Sequence, residues 1–511
     1  MIRIDRQRTA ADVLPAITRM FERSAGKIRS IETAWRPEHG APVFTAGGVY
    51  VSRGWTEWTQ GFQFGAALLQ FDATGDPEFL ELGRARTLER MAPHLTHMGV
   101  HDHGFNNVST YGALWRLARE RRFDALPWEL RFYALALRVS GAVQARRWTS
   151  IPGGGFIYSF NGAHSLFVDT IRTLRSLALS HVLGHRLLEE QDARVSLLGR
   201  LLQHARATAA FSVYYGGGRD AYDVRGRTAH ESLFNPANGT YRGPGSQQGY
   251  SPFSTWTRGL AWAMLGFAEQ LEFLDSLPTD EIGGDMNSLY DAAVATCDFY
   301  VDRAAAADGV PYWDTGAPGL AALGDWHSRP ADPFNDREPV DSSAAAIAAQ
   351  GLLRLSRSVA RRGGDGTKYE QAGLRVLDTL LDEAGPYVSR DAAHQGLLLH
   401  SIYHRPNGWD HVPAGSTIPR GESSMWGDYH LREAALYVKR LAEGSTYYTF
   451  FGPSPSSKSM QPPPSGESVQ APPSRESMQP PPSGESMQSP PSGQRPRGTG
   501  RGGGAPRQAK K

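Results

Sequence analysis

The strongest constraint on the fold is a succession of about twelve segments with apolar residues at three-to-four spacing, with no competing strand run of similar length. They cover Ala10 to Arg29, Glu57 to Phe71, Pro77 to Met91, Asn107 to Arg121, Pro127 to Arg146 and His164 to Leu183. The rest are Leu187 to Phe211, Thr255 to Leu274, Met286 to Asp302, Ser342 to Ser358, Lys368 to Ala384 and Ser423 to Ala442. Most are paired across loops rich in Gly, Pro and aromatic residues. A solenoid of such hairpins would repeat with a fixed period of roughly 30 to 45 residues, but these loops vary widely in length. An all-α fold is therefore expected, an (α/α)6 barrel or six-hairpin toroid over residues 1–451, with a site formed by loops at one end. Short apolar pieces such as GLLLHSIY are expected to add minor strands.

From Gly452 the chain changes character. Residues 452–511 are rich in Pro, Ser and Gly and contain a nine-residue repeat whose units begin at Met460, Val469, Met478 and Met487. Lacking large apolar residues, this tail cannot offset its ordering entropy and is expected to be a disordered tether. It holds eight basic and three acidic residues, so it carries +5 of a whole-chain net charge of +2, and residues 1–451 carry −3. The expected globular part therefore has no basic excess, which argues against nucleic acid as a partner. Cys297 is the only cysteine, which excludes an internal disulfide and any Cys-based metal site. No apolar run reaches the ~18 to 20 residues of a membrane span, the N-terminus has no cleavable apolar leader, and a cytoplasmic location is the expectation.

Five stretches carry unusual chemistry. The longest, Gln248 to Leu271, opens as a Gly/Ser/Pro loop and becomes helical, and it packs Gln248, Tyr250, Trp256, Arg258 and Trp262 close together. Arg258 and Trp262 share a helix face, and a guanidinium beside aromatic rings suits a ring-shaped anion such as a sugar carboxylate. Buried packing explains the same residues equally well. WTEWTQGFQFG places Trp58 and Phe62 one turn apart at a helix start. In HDHGFNN, Asp102 lies between His101 and His103, where an N-cap is the alternative to a functional acid. SFNGAHSLFVDTIRTL places Asp169 inside an apolar helix, and facing inward its pKa should rise by desolvation, as a proton donor near neutral pH requires. AHESLFNPANG carries His230 in a loop. There is no HExxH pattern, P-loop, Rossmann fingerprint or nucleophile elbow, so no metal or cofactor is expected. Two acids, several His and many aromatic residues in a helical ring suit sugar processing.

The segments HDHGF, SQQGYSPFSTWTRGLAWAMLGFAE, VPYWDTGAP, DSSAAAIAAQGLLRL, GLLLHSIYHRP and MWGDYHLREAAL occur in one order. As a set they resemble the unsaturated glucuronyl hydrolases, glycoside hydrolase family 88, from about Trp58 to about Ala442. The resemblance implies the (α/α)6 barrel and a hydrolase that releases 4,5-unsaturated glucuronic acid from lyase-generated oligosaccharides by hydrating the C4–C5 double bond. It implies Asp169 as acid/base and Asp102 as the second essential acid, which holds sugar hydroxyls. His230 and Gln248 match polar groups around the double bond, and Arg258, Trp262, Trp58 and Phe62 match the binding wall. Phe160 stands where the family often has Trp, and Ser423, Ser424 and Trp426 border the partner-sugar side.

Three departures bear on substrate preference. Leu260 replaces a Gln in the family's Arg-Gly-Gln-Ala-Trp, His103 replaces an apolar residue, and Arg225 and Arg227 could meet a sulfated substrate or be solvated loop cations. The competing readings are an unsaturated rhamnogalacturonyl hydrolase on the same barrel and a non-catalytic carbohydrate-binding barrel.

Overall fold

The computed structural model describes residues 1–4, 7–54, 57–282 and 286–451. The tail from Gly452, expected to be a disordered tether, lies outside the described residues, as does Trp55 at the head of the WTEWTQGFQFG stretch.

The described chain is mostly helical, and apart from short turns its helices fall into twelve segments. These are α1 (Ala10–Ala34), α2 (Gln60–Thr74), α3 (Pro77–Arg90), α4, α5 (Pro127–Arg146), α6 and α7 (Leu197–Phe211). They continue with α8 (Thr257–Leu274), α9 (Asn287–Phe299), α10 (Ser342–Arg361), α11 (Thr367–Leu381) and α12 (Met425–Ala442). Segment α4 runs as His103–Asn107, a π-turn Val108–Gly112 and Ala113–Arg119. Segment α6 is Thr170–Thr173 continued by Arg175–Val182.

The pattern of burial sorts these helices into two layers. All of α8 and nearly all of α10 are buried, whereas α1 buries a single stripe that includes Val13, Ile17, Met20, Phe21, Ile28 and Ile31. A helix apolar on all sides belongs inside, and one with a single stripe belongs outside. The even-numbered helices pack in sequence, α2 on α4, α4 on α6, α6 on α8, α8 on α10 and α10 on α12, and α12 returns to α2. Each odd-numbered helix lies against one or two of these from outside. Local chemistry starts several of them: Thr9 and Asp12 form a capping box on α1, Asp76 caps α3 ahead of Pro77, and Asp341 accepts from the Ser343 and Ala344 N–H groups at the start of α10.

The inner helices enclose charge as well as apolar side chains. Arg172 and Arg175 from α6, Glu269 and Glu272 from α8, Arg354 from α10 and Glu433 from α12 are all buried. Arg172 pairs with Glu269 and, at 2.8 Å, with Glu433, and Arg354 Nη1 lies 2.6 Å from Glu272.

Two expected boundaries shift. The segment expected as a helix from His164 begins as strand β1 (Ser165–Phe167), which pairs antiparallel with β2 (Glu231–Phe234), itself paired with β3 (Tyr241–Gly245). Asp169 is therefore not within a helix but at its entrance. The segment expected as a helix from Leu187 likewise opens as a short hairpin, and α7 starts only at Leu197. GLLLHSIY contributes isolated bridges, Leu398 to Val388 and Leu399 to Ser423, rather than a full strand. Among the described residues no helix is long and apolar enough to cross a membrane.

Candidate active site

Four inner helices start within a few residues of a group that lines one cavity, with Trp58 before α2, Asp102 before α4, Asp169 before α6 and Arg258 at the start of α8, while Asp341 and Trp426 at the starts of α10 and α12 stand behind Arg258 and Trp58. The N-terminal ends of those four helices therefore converge on it, an arrangement that favours negative charge there. The cavity measures about 660 Å³.

Two acids and a histidine meet on its inner side. Asp102 and Asp169 both occupy N-cap positions, yet neither side chain caps its helix, which leaves both carboxylates available for other contacts. Gly104 sets their separation. A Cβ there would lie 2.2 Å from the Thr173 carbonyl oxygen, so only glycine lets the start of α4 abut α6. The His101 carbonyl accepts from Gln144 Nε2 at 2.8 Å and from Thr173 Oγ1 at 2.9 Å, which holds its backbone to the same junction. His101 Nε2 then lies 3.5 Å from Asp169 Oδ2 and 3.8 Å from Asp102 Oδ1.

The electrostatics of this triad reverse one expectation. Burial favours the neutral form of Asp169, as anticipated, but the charge and hydrogen bond of His101 outweigh it and hold the carboxyl below its ordinary range. The acid pushed upward is Asp102, by burial first and by the nearby Asp169 against the pull of His101. Burial works against a charge on His101, but Asp102 and Asp169 together raise its affinity for a proton. Ligand atoms of the three residues lie within 4.8 Å of one another. That spacing would admit a cation, and a proton on His101 would offset one carboxylate charge in the same way.

Aromatic residues form the walls. Trp58 stacks on Trp426 with ring centres 5.1 Å apart and planes 26° from parallel. Phe105 lies between Trp58 and Trp262, at 5.9 and 4.9 Å. Phe160 is partly exposed and lies nearly parallel to the His101 ring, 6.3 Å away. Loop 402–410 supplies Tyr403, His404, Asn407 and Trp409. Asp410 holds this loop by accepting from the Tyr403 N–H and, at 3.0 Å, the His404 N–H.

The Gln248 to Trp262 stretch contributes differently from expectation. Arg258 borders the cavity, but its guanidinium is committed: to Asp341 at 3.0 Å, to the Ile402 carbonyl, to the Tyr403 carbonyl at 2.7 Å and to Gln248 Oε1 at 2.9 Å. It lies over the rings of Trp256 and Trp426 at 4.5 and 4.9 Å. Arg258 therefore fixes the Gln248 amide and the 402–403 backbone instead of offering free donors to an anion. Gln248 Nε2 makes no hydrogen bond among the described residues and remains available as a donor.

Of the residues singled out from sequence, Asp169, Asp102, Gln248, Arg258, Trp262, Trp58 and Phe160 line the cavity. His230, Phe62, Trp426, Ser423 and Ser424 stand behind it. Burial drives the His230 pKa down to about 3, so the ring is neutral, and its Nδ1 accepts the Gln247 and Gln248 N–H groups. Phe62 and Trp426 back Trp58. Ser424 caps α12 through the Gly427 N–H, and the Ser423 N–H donates to Thr45 Oγ1. Of the departures, Leu260 is core, His103 is buried against Ser140, Arg225 pairs with Asp291 and Arg227 pairs with Asp220. His101 and loop 402–410 were given no role from sequence, although HDHGF and GLLLHSIYHRP contain part of both.

No family model matches the chain. It is 27% identical over 409 residues to an unsaturated glucuronyl hydrolase of Bacillus sp. (strain GL1), covering 78% of this chain and 90% of that protein. It is 24% identical over 392 residues to an unsaturated chondroitin disaccharide hydrolase of Streptococcus pyogenes serotype M1, covering 75% of this chain and 81% of that one. The crystal structure of the Bacillus sp. GL1 unsaturated glucuronyl hydrolase superimposes with a TM-score of 0.63 at 24% identity, over 84% of this chain and 98% of that one. The chain is thus similar to unsaturated glucuronyl hydrolases along most of their length, and it shares their fold.

Proposed function

We propose that this hydrolase releases 4,5-unsaturated glucuronic acid from the non-reducing end of lyase-generated, glycosaminoglycan-type oligosaccharides by hydrating the C4–C5 double bond. The observation that carries the reading is the Asp102–His101–Asp169 triad in an aromatic-walled cavity lined from the starts of four inner helices. The names of the two curated relatives, one a chondroitin disaccharide hydrolase, support the substrate class. The cyclic packing of the inner helices supports a closed (α/α)6 barrel over residues 1–451.

The unsaturated uronate packs against the wall of Trp58, Phe105 and Trp262, with the Gln248 amide donating to it. Asp169 delivers a proton to C4, and the double-bond electrons form the new C–H bond. The cation left at C5 is stabilised by the ring oxygen. Water adds its oxygen at C5 and gives a proton back to Asp169. The resulting hemiketal opens and expels the partner sugar. Asp102 holds the sugar hydroxyls. The anomeric carbon is not attacked, so the carboxylate separation that distinguishes inverting from retaining glycosidases does not govern the outcome.

Incubation with unsaturated chondroitin and hyaluronan disaccharides tests this directly. The absorbance of the conjugated acid should fall as the sugar is consumed, and persistent absorbance across the panel would reject the activity.

A further inference from the structure

In this reaction Asp169 must hold a proton before it can donate one, yet it sits ionised beside His101. The source of that proton is therefore part of the chemistry. His101 is the only basic side chain that touches Asp169 through an ion-pair contact among the described residues, and the same nitrogen faces Asp102. Its ring is buried and is flanked by Phe160 on one face and Phe167 on an edge.

We infer that His101 is the proton store of the site: its Nε2 loads Asp169 Oδ2 when the uronate enters and is reloaded after water has added. This rests on the hydration reading given above. In the first step the Nε2–H bond breaks and an O–H bond forms on Asp169, leaving a neutral imidazole and a neutral acid. The incoming substrate carboxylate, a like charge, favours that transfer. Asp169 then gives this proton to C4, recovers one from the water that adds to C5, and returns it to His101. The cluster ends with the protons it began with, and the elements of water have crossed the double bond. His101 acts through Asp169, as a positioning residue for the proton. The charged or titratable groups around it are Asp102 on its own segment, Asp169 at the start of α6, Arg147 at the end of α5, His204 on α7 and His230 beside β2.

Replacing the imidazole with a neutral amide tests the store. His101→Gln keeps a donor near Asp169 but cannot carry the extra proton. Its kcat should fall about 100-fold with KM changed far less, and the high-pH limb of its kcat profile should move down by roughly one unit or more. Added imidazole should restore turnover to His101→Gly, most strongly where imidazolium is abundant. A wild-type pH profile in His101→Gln, scaled down or not, would overturn the inference, as would the absence of rescue in a folded His101→Gly. One readout does not depend on turnover: by NMR, the His101 ring should titrate at a clearly lower pH in Asp169→Asn than in wild type, and an unshifted ring would also overturn it. An inactive wild type with a shifted ring would reject the hydration reading and leave the proton coupling standing.

Discussion

Two buried charge clusters lie inside the inner helices, and they differ in how completely they are matched. The deeper one sets three arginines, Arg172, Arg175 and Arg354, against three glutamates, Glu269, Glu272 and Glu433, with its tightest contacts at 2.8 Å or less. The one at the cavity sets two carboxylates against a single imidazole at 3.5 and 3.8 Å. Where arginines and glutamates are equal in number, no excess charge has to be relieved by a proton, although burial still pushes Glu269 upward. An acid-rich cluster with long contacts has every reason to change protonation, because one proton relieves the repulsion of the two acids. The first cluster locks helices together, and the second is the place where a proton can move.

The largest expected effect comes from breaking the cavity cluster. Asp169→Asn should lower kcat by roughly 10²- to 10⁴-fold, while denaturant unfolding shifts by less than about 1 kcal/mol; near-normal turnover would remove Asp169 from the acid/base role. Glu433→Gln should do the reverse. It leaves buried Arg172 and Arg175 short of a partner and should cost about 3–5 kcal/mol in unfolding free energy, with turnover per folded molecule little changed. Its pH dependence has a definite sign. Burial alone would raise the Glu433 pKa, but Arg172 and Arg175 hold it to about 2, so its contribution is present above the ordinary value of 4.5 and is lost as pH falls from there toward 2. Acid unfolding should therefore be less steep in that window for the Gln variant than for wild type. The smallest effect calibrates both. Arg225 and Asp291 form an exposed pair, and Arg225→Ala should change unfolding by no more than about 1 kcal/mol and leave turnover on unsulfated and sulfated disaccharides alike. A selective loss on the sulfated one would show that this loop reaches the substrate.

The two clusters were not equally legible in the sequence. All twelve long helices announce themselves by spacing, because burial against a neighbouring helix demands an apolar stripe. Asp169 was placed inside a helix because Leu166, Phe167 and Val168 are buried on both sides, and a short apolar run reads alike as strand or helix. The pairing of β1 with β2, more than 60 residues later, decides between them, and periodicity does not record it. Arg258 was readable as a cation among aromatic rings. Its commitment was not, because Asp341, Ile402 and Tyr403 lie 83 to 145 residues further on. Loop 402–410 has no period at all, and it is held by backbone donors to Asp410 that composition cannot reveal. The direction of the Asp169 shift depends on His101, a neighbour in space supplied by a different helix start.

The contact at Gly104 has a wider meaning. The two acids ride on the starts of adjacent helices joined where no side chain fits between them, whereas the Tyr403 and Trp409 rings of the cavity wall sit on a loop tied down by Asp410. The reacting geometry and the recognition surface are thus inherited separately. Loop 402–410 can lengthen, shorten or change its side chains, and so accommodate new partner sugars, without disturbing the distance between Asp102 and Asp169.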